Sequence, residues 1–190
     1  LTDLGYAMPP ALWVLGQSPV TTPTHRTVTV TGSRAATAYG VQITRAITSD
    51  LATKGITIVS GGGYGIEATA HHSAINNQDS KALATPTIAS VCGGLKDLYP
   101  AGNANLFAEI LQRGGNIIAE VPPTYRPARW RYLERNRLLA AWSALTIIPE
   151  AGVRSGAMAA AHQSARLNRH VAAMPGPITS PASSGPNELI

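Results

Sequence analysis

Five arginines, at positions 126, 129, 131, 135 and 137, alternate with Tyr125, Trp130 and Tyr132 within thirteen consecutive residues. Basic groups track a phosphate backbone and aromatic rings offer faces on which bases stack, the mixture used by single-strand binders. On composition alone, a solvated arginine face with the aromatics as core anchors fits equally well. Groups suited to bond-making chemistry are sparse. The carboxylates are scattered along the chain, with no sign of a working pair. His71 and His72 are adjacent, so they leave a helix on different faces, and neither has a ligand partner four residues away. A satisfied or exposed histidine is therefore the better reading. Cys92 closes an apolar run and reads as core, since nothing nearby in sequence would act as a base toward it. Glu67 and Glu150 stand where either could cap a helix. No catalytic residue, metal site or cofactor is expected.

The elements that must position these groups follow from six short apolar runs: 27–31, 56–60, 87–91, 116–120, 145–149 and 170–174. Their starts are separated by one strand, one crossover helix and two turns. Helical spacing fills the gaps, as in Ile43, Ile47 and Leu51 before Gly55, and in Leu106, Phe107, Ile110 and Leu111 before Gly114 and Gly115. Strands this apolar, alternating with helices, predict a doubly wound α/β fold with a mainly parallel sheet covered on both faces. Residues 1–26, with Pro9, Pro10, Pro19 and Pro23, read as a lead-in packing on the sheet edge. Residues 27–175 form the sheet domain, and the proline-rich segment 176–190 reads as coil.

Ligands of such sheets bind outside the carboxyl ends of the strands. The junctions there are unusual: Gly32-Ser33-Arg34, Gly61-Gly62-Gly63-Tyr64-Gly65, Gly93-Gly94-Leu95-Lys96, the 122–127 loop, and Glu150 through Arg154, Ser155 and Gly156. Glycine lets backbone amides approach a ligand, and helix N-termini carry partial positive charge, so this rim suits anions. Arg34 is placed to grip a phosphate bidentately with the Gly32 and Ser33 amides beneath it. A dinucleotide fingerprint is missing, because Ile66 stands where G-x-G-x-x-G needs its third glycine, and no Walker-type phosphate loop occurs.

Composition narrows the partners further. The 190 residues carry a formal charge of +5 although only 13% are charged, and arginine outnumbers lysine twelve to three. That bias favours planar contacts to phosphate or carboxylate. A single cysteine excludes an internal disulfide framework, and a reducing cytoplasm is the expected location. No apolar run is long enough to span a bilayer, and no signal-peptide layout opens the sequence. Ala157 to Ala161 make a small-residue helix face that suits either a second copy of the chain or the chain's own sheet.

Taken in order, Val30-Thr31-Gly32-Ser33-Arg34, Val59-Ser60-Gly61 through Glu67 with Ala70-His71, Gly94-Leu95 with Tyr99-Pro100 and Asn103, Glu120 with Pro122-Pro123, Arg135-Asn136-Arg137-Leu138-Leu139-Ala140, Glu150-Ala151 with Arg154-Ser155-Gly156, and Pro175-Gly176-Pro177 resemble the DNA-processing protein A (DprA/Smf) family. The resemblance implies an extended Rossmann-like domain that binds and protects single-stranded DNA and helps load a RecA-type recombinase in natural transformation or another recombination pathway, without catalysis. It implies that Arg34 lines a positive pocket for the DNA backbone. Together the residues and the resemblance nominate Gly32, Ser33, Arg34, Gly61, Gly62, Gly63, Tyr64, Gly65, Gly94, Lys96, Asn103, Arg135, Asn136, Arg137, Arg154, Ser155 and Gly156 as the DNA- or phosphate-binding set.

The chain departs from the family pattern at two places. Tyr64 stands where the family has a pocket arginine, exchanging a phosphate contact for a stacking face, and Leu133-Glu134 replaces a Pro-Arg pair. The winged helix found in many members is not present by Ile190. A related branch, the lysine decarboxylase-like or LOG proteins, hydrolyses nucleoside monophosphates. Its glycine-rich motif is not matched after the fifth run, although Gly61 to Gly63 look somewhat like it. A nucleotide-binding sensor or hydrolase of that kind is the alternative reading.

Overall fold

In the computed structural model, residues 1–20, 23–77 and 85–190 are described. Seven strands form one sheet: β1 (Trp13–Leu15), β2 (Thr27–Val30), β3 (Thr57–Ser60), β4 (Thr87–Val91), β5 (Asn116–Ala119), β6 (Leu145–Ile148) and β7 (His170–Ala173). Their order is β1-β5-β4-β3-β2-β6-β7, and all pairings are parallel except β1 with β5. The helices are α1 (Ala38–Thr53), α2 (Ile66–Asn77), α3 (Ala104–Gln112), α4 (Arg129–Trp142), α5 (Gly156–Arg166) and α6 (Ser184–Leu189). This is the doubly wound, Rossmann-like α/β fold expected from the apolar runs.

Alternate residues of the central strands feed two opposite cores, as the two-residue period of a strand requires. Ile58, Ala89 and Ile117 lie on the face covered by α1, α2 and α3, where they meet Ile66, Ala70 and Phe107. Val59, Ile88 and Ile118 lie on the other face against Leu139 and Trp142 of α4. The innermost stripe of α1 is Gly40, Thr44, Thr48 and Ala52, with Ile43, Ile47 and Leu51 half-buried beside it. Ala157, Met158, Ala160 and Ala161 of α5 are buried with Ile148 and Ala151. The small-residue face is thus spent on the chain's own core.

Two threonines on a fully buried strand fix α4. Thr27 Oγ1 donates to the Trp142 carbonyl at 2.7 Å and Thr29 Oγ1 to the Leu139 carbonyl at 2.8 Å. These are carbonyls of the last turn, which have no partner within the helix. Because its C-terminal turn is held over β2, α4 runs antiparallel to the strand and carries its N-terminal turn to the carboxyl ends of the sheet.

Both chain ends differ from expectation. Within the lead-in, Trp13–Leu15 pairs with β5 as an antiparallel edge strand, so this segment extends the sheet as well as packing on its edge. Gly16 then turns with φ +126°, and a side chain there would strike Asn116. In the segment expected to be coil, α6 folds back under the β6–α5 turn. The Ala151 amide donates to the Ala182 carbonyl at 2.8 Å, and Gly185 returns a bond to the Ala151 carbonyl at 2.9 Å. No helix among the described residues is long and apolar enough to cross a membrane.

His71 is fully buried in α2, and its Nδ1 lies 2.7 Å from Thr87 Oγ1. That hydroxyl already donates to the Ile58 carbonyl, so the imidazole donates from Nδ1 and leaves Nε2 without a partner. Burial holds the imidazole down from its ordinary 6.5 to about 4, with Glu67 opposing and His72 and Arg135 adding to the depression. The native state therefore binds fewer protons than the unfolded chain between about pH 6.5 and 4, and stability is lost as pH falls through that window. The full loss is about 3 kcal/mol at 1.36 kcal/mol per pKa unit. Urea unfolding at pH 7 and pH 4.5 should show a larger drop for the parent than for His71→Asn, which keeps a donor but does not titrate. Parallel pH dependence of the two proteins would contradict the assignment.

Candidate functional site

From β2 the chain winds outward through β3, β4 and β5, then crosses back by way of α4 to place β6 on the other side of β2. The direction of winding reverses between β2 and β6, and a crevice opens outside the carboxyl ends of strands at such a switch point. The crevice here is a cleft of about 940 Å³. The turn after β2 supplies Thr31 to Ala35, the turn after β6 and the start of α5 supply Gly152 and Arg154 to Ala157, and α4 with its approach supplies Pro127 to Arg129, Tyr132, Leu133, Arg135 and Asn136. Four arginines and one carboxylate, Glu67, line it, leaving a net charge of +3.

The arginines divide into two kinds. Arg135 is buried at the floor, where its Nη2 lies 3.6 Å from Glu67 Oε1 and its Nη1 donates to the Ser90 carbonyl at 3.0 Å. Glu67 also accepts from Thr31 Oγ1 and from the Gly63 amide, both at 2.8 Å. Arg34, Arg129 and Arg154 are exposed, and among the described residues no carboxylate lies within ion-pair distance of any of them. The Arg34 guanidinium lies 4.5 Å from the centre of the Tyr132 ring. Burial and a hydrogen bond with Cys92 raise the Tyr132 hydroxyl well above its ordinary value, so that ring stays a neutral face.

Helix N-termini at the rim are used unequally. The Thr37 amide and hydroxyl at the start of α1 both donate to the buried carboxylate of Glu150, so that terminus already holds its anion. The Ser33 amide donates to the Glu150 carbonyl at 2.7 Å, which removes it from the phosphate cradle expected beneath Arg34. At α5, by contrast, Ser155, Gly156 and Ala157 line the cleft directly, with Ser155 accepting from the Met158 amide as N-cap. An exposed arginine beside a helix N-terminus is an arrangement suited to an oxyanion.

Eight of the nominated residues come together in this cleft: Gly32, Ser33, Arg34, Arg135, Asn136, Arg154, Ser155 and Gly156. Two of these are structural as well, since Arg135 is paired and Asn136 Nδ2 donates to the Gly156 carbonyl at 2.8 Å, setting the start of α5. The others lie elsewhere. Gly61 and Gly63 are buried, and a β-carbon at either would strike the Arg135 guanidinium or the Glu67 carboxylate, while Gly62, at φ +73°, abuts Phe107. Gly65 backs onto the Ser33 and Arg34 carbonyls, and Gly94 packs under the 122–123 backbone. Asn103 donates to the Gly62 carbonyl at 2.9 Å. Tyr64 is half-exposed, but its hydroxyl lies over Gly102, outside the cleft, and Lys96 is exposed on the neighbouring loop. Arg137 points to another face, paired with Glu120 and donating to the Ala7 carbonyl. Arg129 and Tyr132 belong to the arginine-aromatic run but were not in the nominated set; only the path of α4 shows that they share a wall with Arg34. Among the described residues no group of three or more His, Cys, Asp and Glu could hold a metal ion.

Fold and cleft together define a Rossmann-like domain with a positively charged crevice at the switch point of its sheet. All 190 residues match the model of the DNA recombination-mediator protein A family, and the chain belongs to that family. It is 43% identical over 182 residues to a Mycobacterium tuberculosis protein named for DNA processing protein DprA, covering 96% of this chain and 45% of that one. It is 36% identical over 161 residues to Protein Smf of Escherichia coli, covering 85% and 41%. The chain thus spans about half the length of these relatives or less. Among solved structures it is similar to DNA processing protein A of Helicobacter pylori, described with a single-stranded DNA binding mode, at a TM-score of 0.84 and 30% identity over 95% of this chain and 78% of that one. The Streptococcus pneumoniae DprA structure gives 0.82 and 28%, over 98% and 63%.

Removing one partner of a buried pair strands the other charge and costs about 3–5 kcal/mol, whereas an apolar replacement of both can be neutral. Glu67→Gln and Arg135→Met should each destabilise the fold by that order, and the double variant should be more stable than the sum of the two losses predicts. Denaturant titration reads all three. Strictly additive losses would show that the two groups are not coupled.

Proposed function

We propose that this domain binds single-stranded DNA by its phosphate backbone along the switch-point cleft, shields it from nucleases and presents it to a RecA-type recombinase in the cytoplasm. The observation that carries the reading is that Arg34, Arg129 and Arg154, all exposed and with no carboxylate within ion-pair distance among the described residues, line the same cleft as the N-terminus of α5. A strand has an exposed phosphate at every step, and arginine matches it bidentately. The single-stranded DNA binding described for the H. pylori relative supports the ligand, and the family's description as a recombination mediator supports the handover.

The domain is proposed to act without catalysis. Glu67, which lines the cleft, and Glu150, in the turn after β6, have both oxygens engaged by Thr31, Gly63 and Arg135 or by Thr37. A carboxylate so occupied is poorly placed to take a proton from substrate. Nucleoside monophosphates incubated with the protein should yield no free base. Base release that disappears in Glu150→Gln would replace this reading with the hydrolase.

If Arg34 neutralises one phosphate, Arg34→Ala should weaken binding to every homopolymer by a similar factor. It should also reduce the slope of log affinity against log salt by about 0.7, the single-strand value per phosphate. Arg26 precedes β2 at the opposite end of the sheet, and Arg26→Ala serves as the control. An unchanged slope for Arg34→Ala, or an equal loss from Arg26→Ala, would mean that the cleft is not the DNA site.

A further inference from the structure

Two of the three aromatics of the arginine-rich run are not core anchors. Trp130 is 58% exposed and Tyr125 is 50% exposed, at the point where the chain enters α4. The Arg131 guanidinium lies 4.3 Å from the centre of the Trp130 ring and 5.3 Å from that of Tyr125. Among the described residues it has no carboxylate within ion-pair distance, although Glu134 is one turn along the same helix. The support beneath is fixed. The Tyr125 amide donates to the Pro122 carbonyl at 3.0 Å, the Tyr125 carbonyl accepts from Gly94 at 2.8 Å, and the Lys96 amide bonds Pro123 at 2.9 Å.

Beside this cluster is a second pocket of about 330 Å³, with Trp130 and Arg131 at its edge, Val91, Cys92 and Leu138 among its walls, and the Glu120–Arg137 pair on its polar side. The first turn of α4 separates it from the cleft: Arg129 lines the cleft, Trp130 and Arg131 line the pocket, and the buried Arg135 touches both. A strand leaving the cleft over this turn meets the indole next.

We propose that Trp130, with Arg131 over it, is a stacking site for an unpaired base of the strand whose phosphates occupy the cleft. This rests on the single-strand reading of the cleft and adds a base contact to its phosphate contacts. Stacking is the chemistry this cluster can supply, because any base has a π-face, and a guanidinium already laid on the rings needs little further ordering to contact it. The cluster grips bases without reading sequence, and it bears on bases where Arg34 bears on phosphates.

The two kinds of contact separate experimentally. Affinity of the full chain for a thymidine homopolymer and for an abasic deoxyribose-phosphate oligomer of equal length is measured for the parent, Trp130→Ala, Trp130→Phe and Arg34→Ala. Trp130→Ala should lose about 5- to 150-fold on the homopolymer, the range that ~1–3 kcal/mol per stacked base represents. It should bind the abasic oligomer like the parent and keep the parent's salt slope, and Trp130→Phe should retain most of the affinity. Arg34→Ala should weaken both oligomers. Parent-like homopolymer binding by Trp130→Ala, or equal losses on both oligomers, overturns the stacking site while leaving the cleft intact. If Arg34→Ala leaves both oligomers unaffected, the cleft reading itself fails and takes this inference with it.

Discussion

The buried contact between Glu67 and Arg135 holds the site together. Through it the first turn of α2, the middle of α4, the end of β2 at Thr31, the β4 carbonyl of Ser90 and the amide of Gly63 meet at one point. Two charges withdrawn from water are tolerated only when their remaining hydrogen-bonding capacity is largely met. Most of it is met here by groups from neighbouring strands and turns, so the pair specifies how both helices seat on the sheet. It also dictates sequence nearby. Gly61 and Gly63 have no side chain because the pair fills the space one would occupy.

Neutralising Arg135 at the floor leaves the cleft's usable charge on its exposed rim. Arg34, Arg129 and Arg154 come from three separate elements, and among the described residues none has an acid within ion-pair distance that would compete with a ligand. Arg34 lies on Tyr132, an uncharged face that orients the guanidinium without consuming its charge. Arg154 lies between Ala151, which Ala182 and Gly185 hold from the C-terminal segment, and Gly156, whose carbonyl Asn136 holds at the start of α5. Glu150 satisfies the N-terminus of α1 from within the protein. The result is a paired, buried floor under a positive edge, the arrangement on which the proposed binding of a polyanion rests.

The sheet was legible because its strands are buried on both faces, so their apolar runs stand out against helical spacing. The six expected runs match β2 to β7 with ends trimmed by at most one residue. Trp13–Leu15 escaped because three residues between prolines and a glycine show no period, and α6 escaped because its Ser-Gly-Pro start resembles a turn. The site was half legible. Glycines that admit a ligand and glycines that admit a neighbouring side chain look identical in sequence, and Gly61 to Gly63 stand against Arg135, Glu67 and Phe107. Arg135 and Arg137, two residues apart on one helix, cannot face the same partner. One turns inward to Glu67 and the other toward Glu120 and the N-terminal segment. Arg129 and Tyr132 were visible as types, but their place in the cleft with Arg34 depends on the path of α4, which the hydroxyls of Thr27 and Thr29 help to set.

In the proposed complex, phosphates of a single strand lie in the crevice between the ends of β2 and β6. The decisive measurement is a crystal structure of the domain with a short thymidine oligonucleotide bound. A phosphate is expected within hydrogen-bonding distance of the Arg34 guanidinium and another at Arg154 and the first amides of α5, with the Glu67–Arg135 pair unmoved beneath them. An oligonucleotide bound on another face with the crevice empty, or one that reaches its phosphate contacts only by breaking that pair, would contradict it.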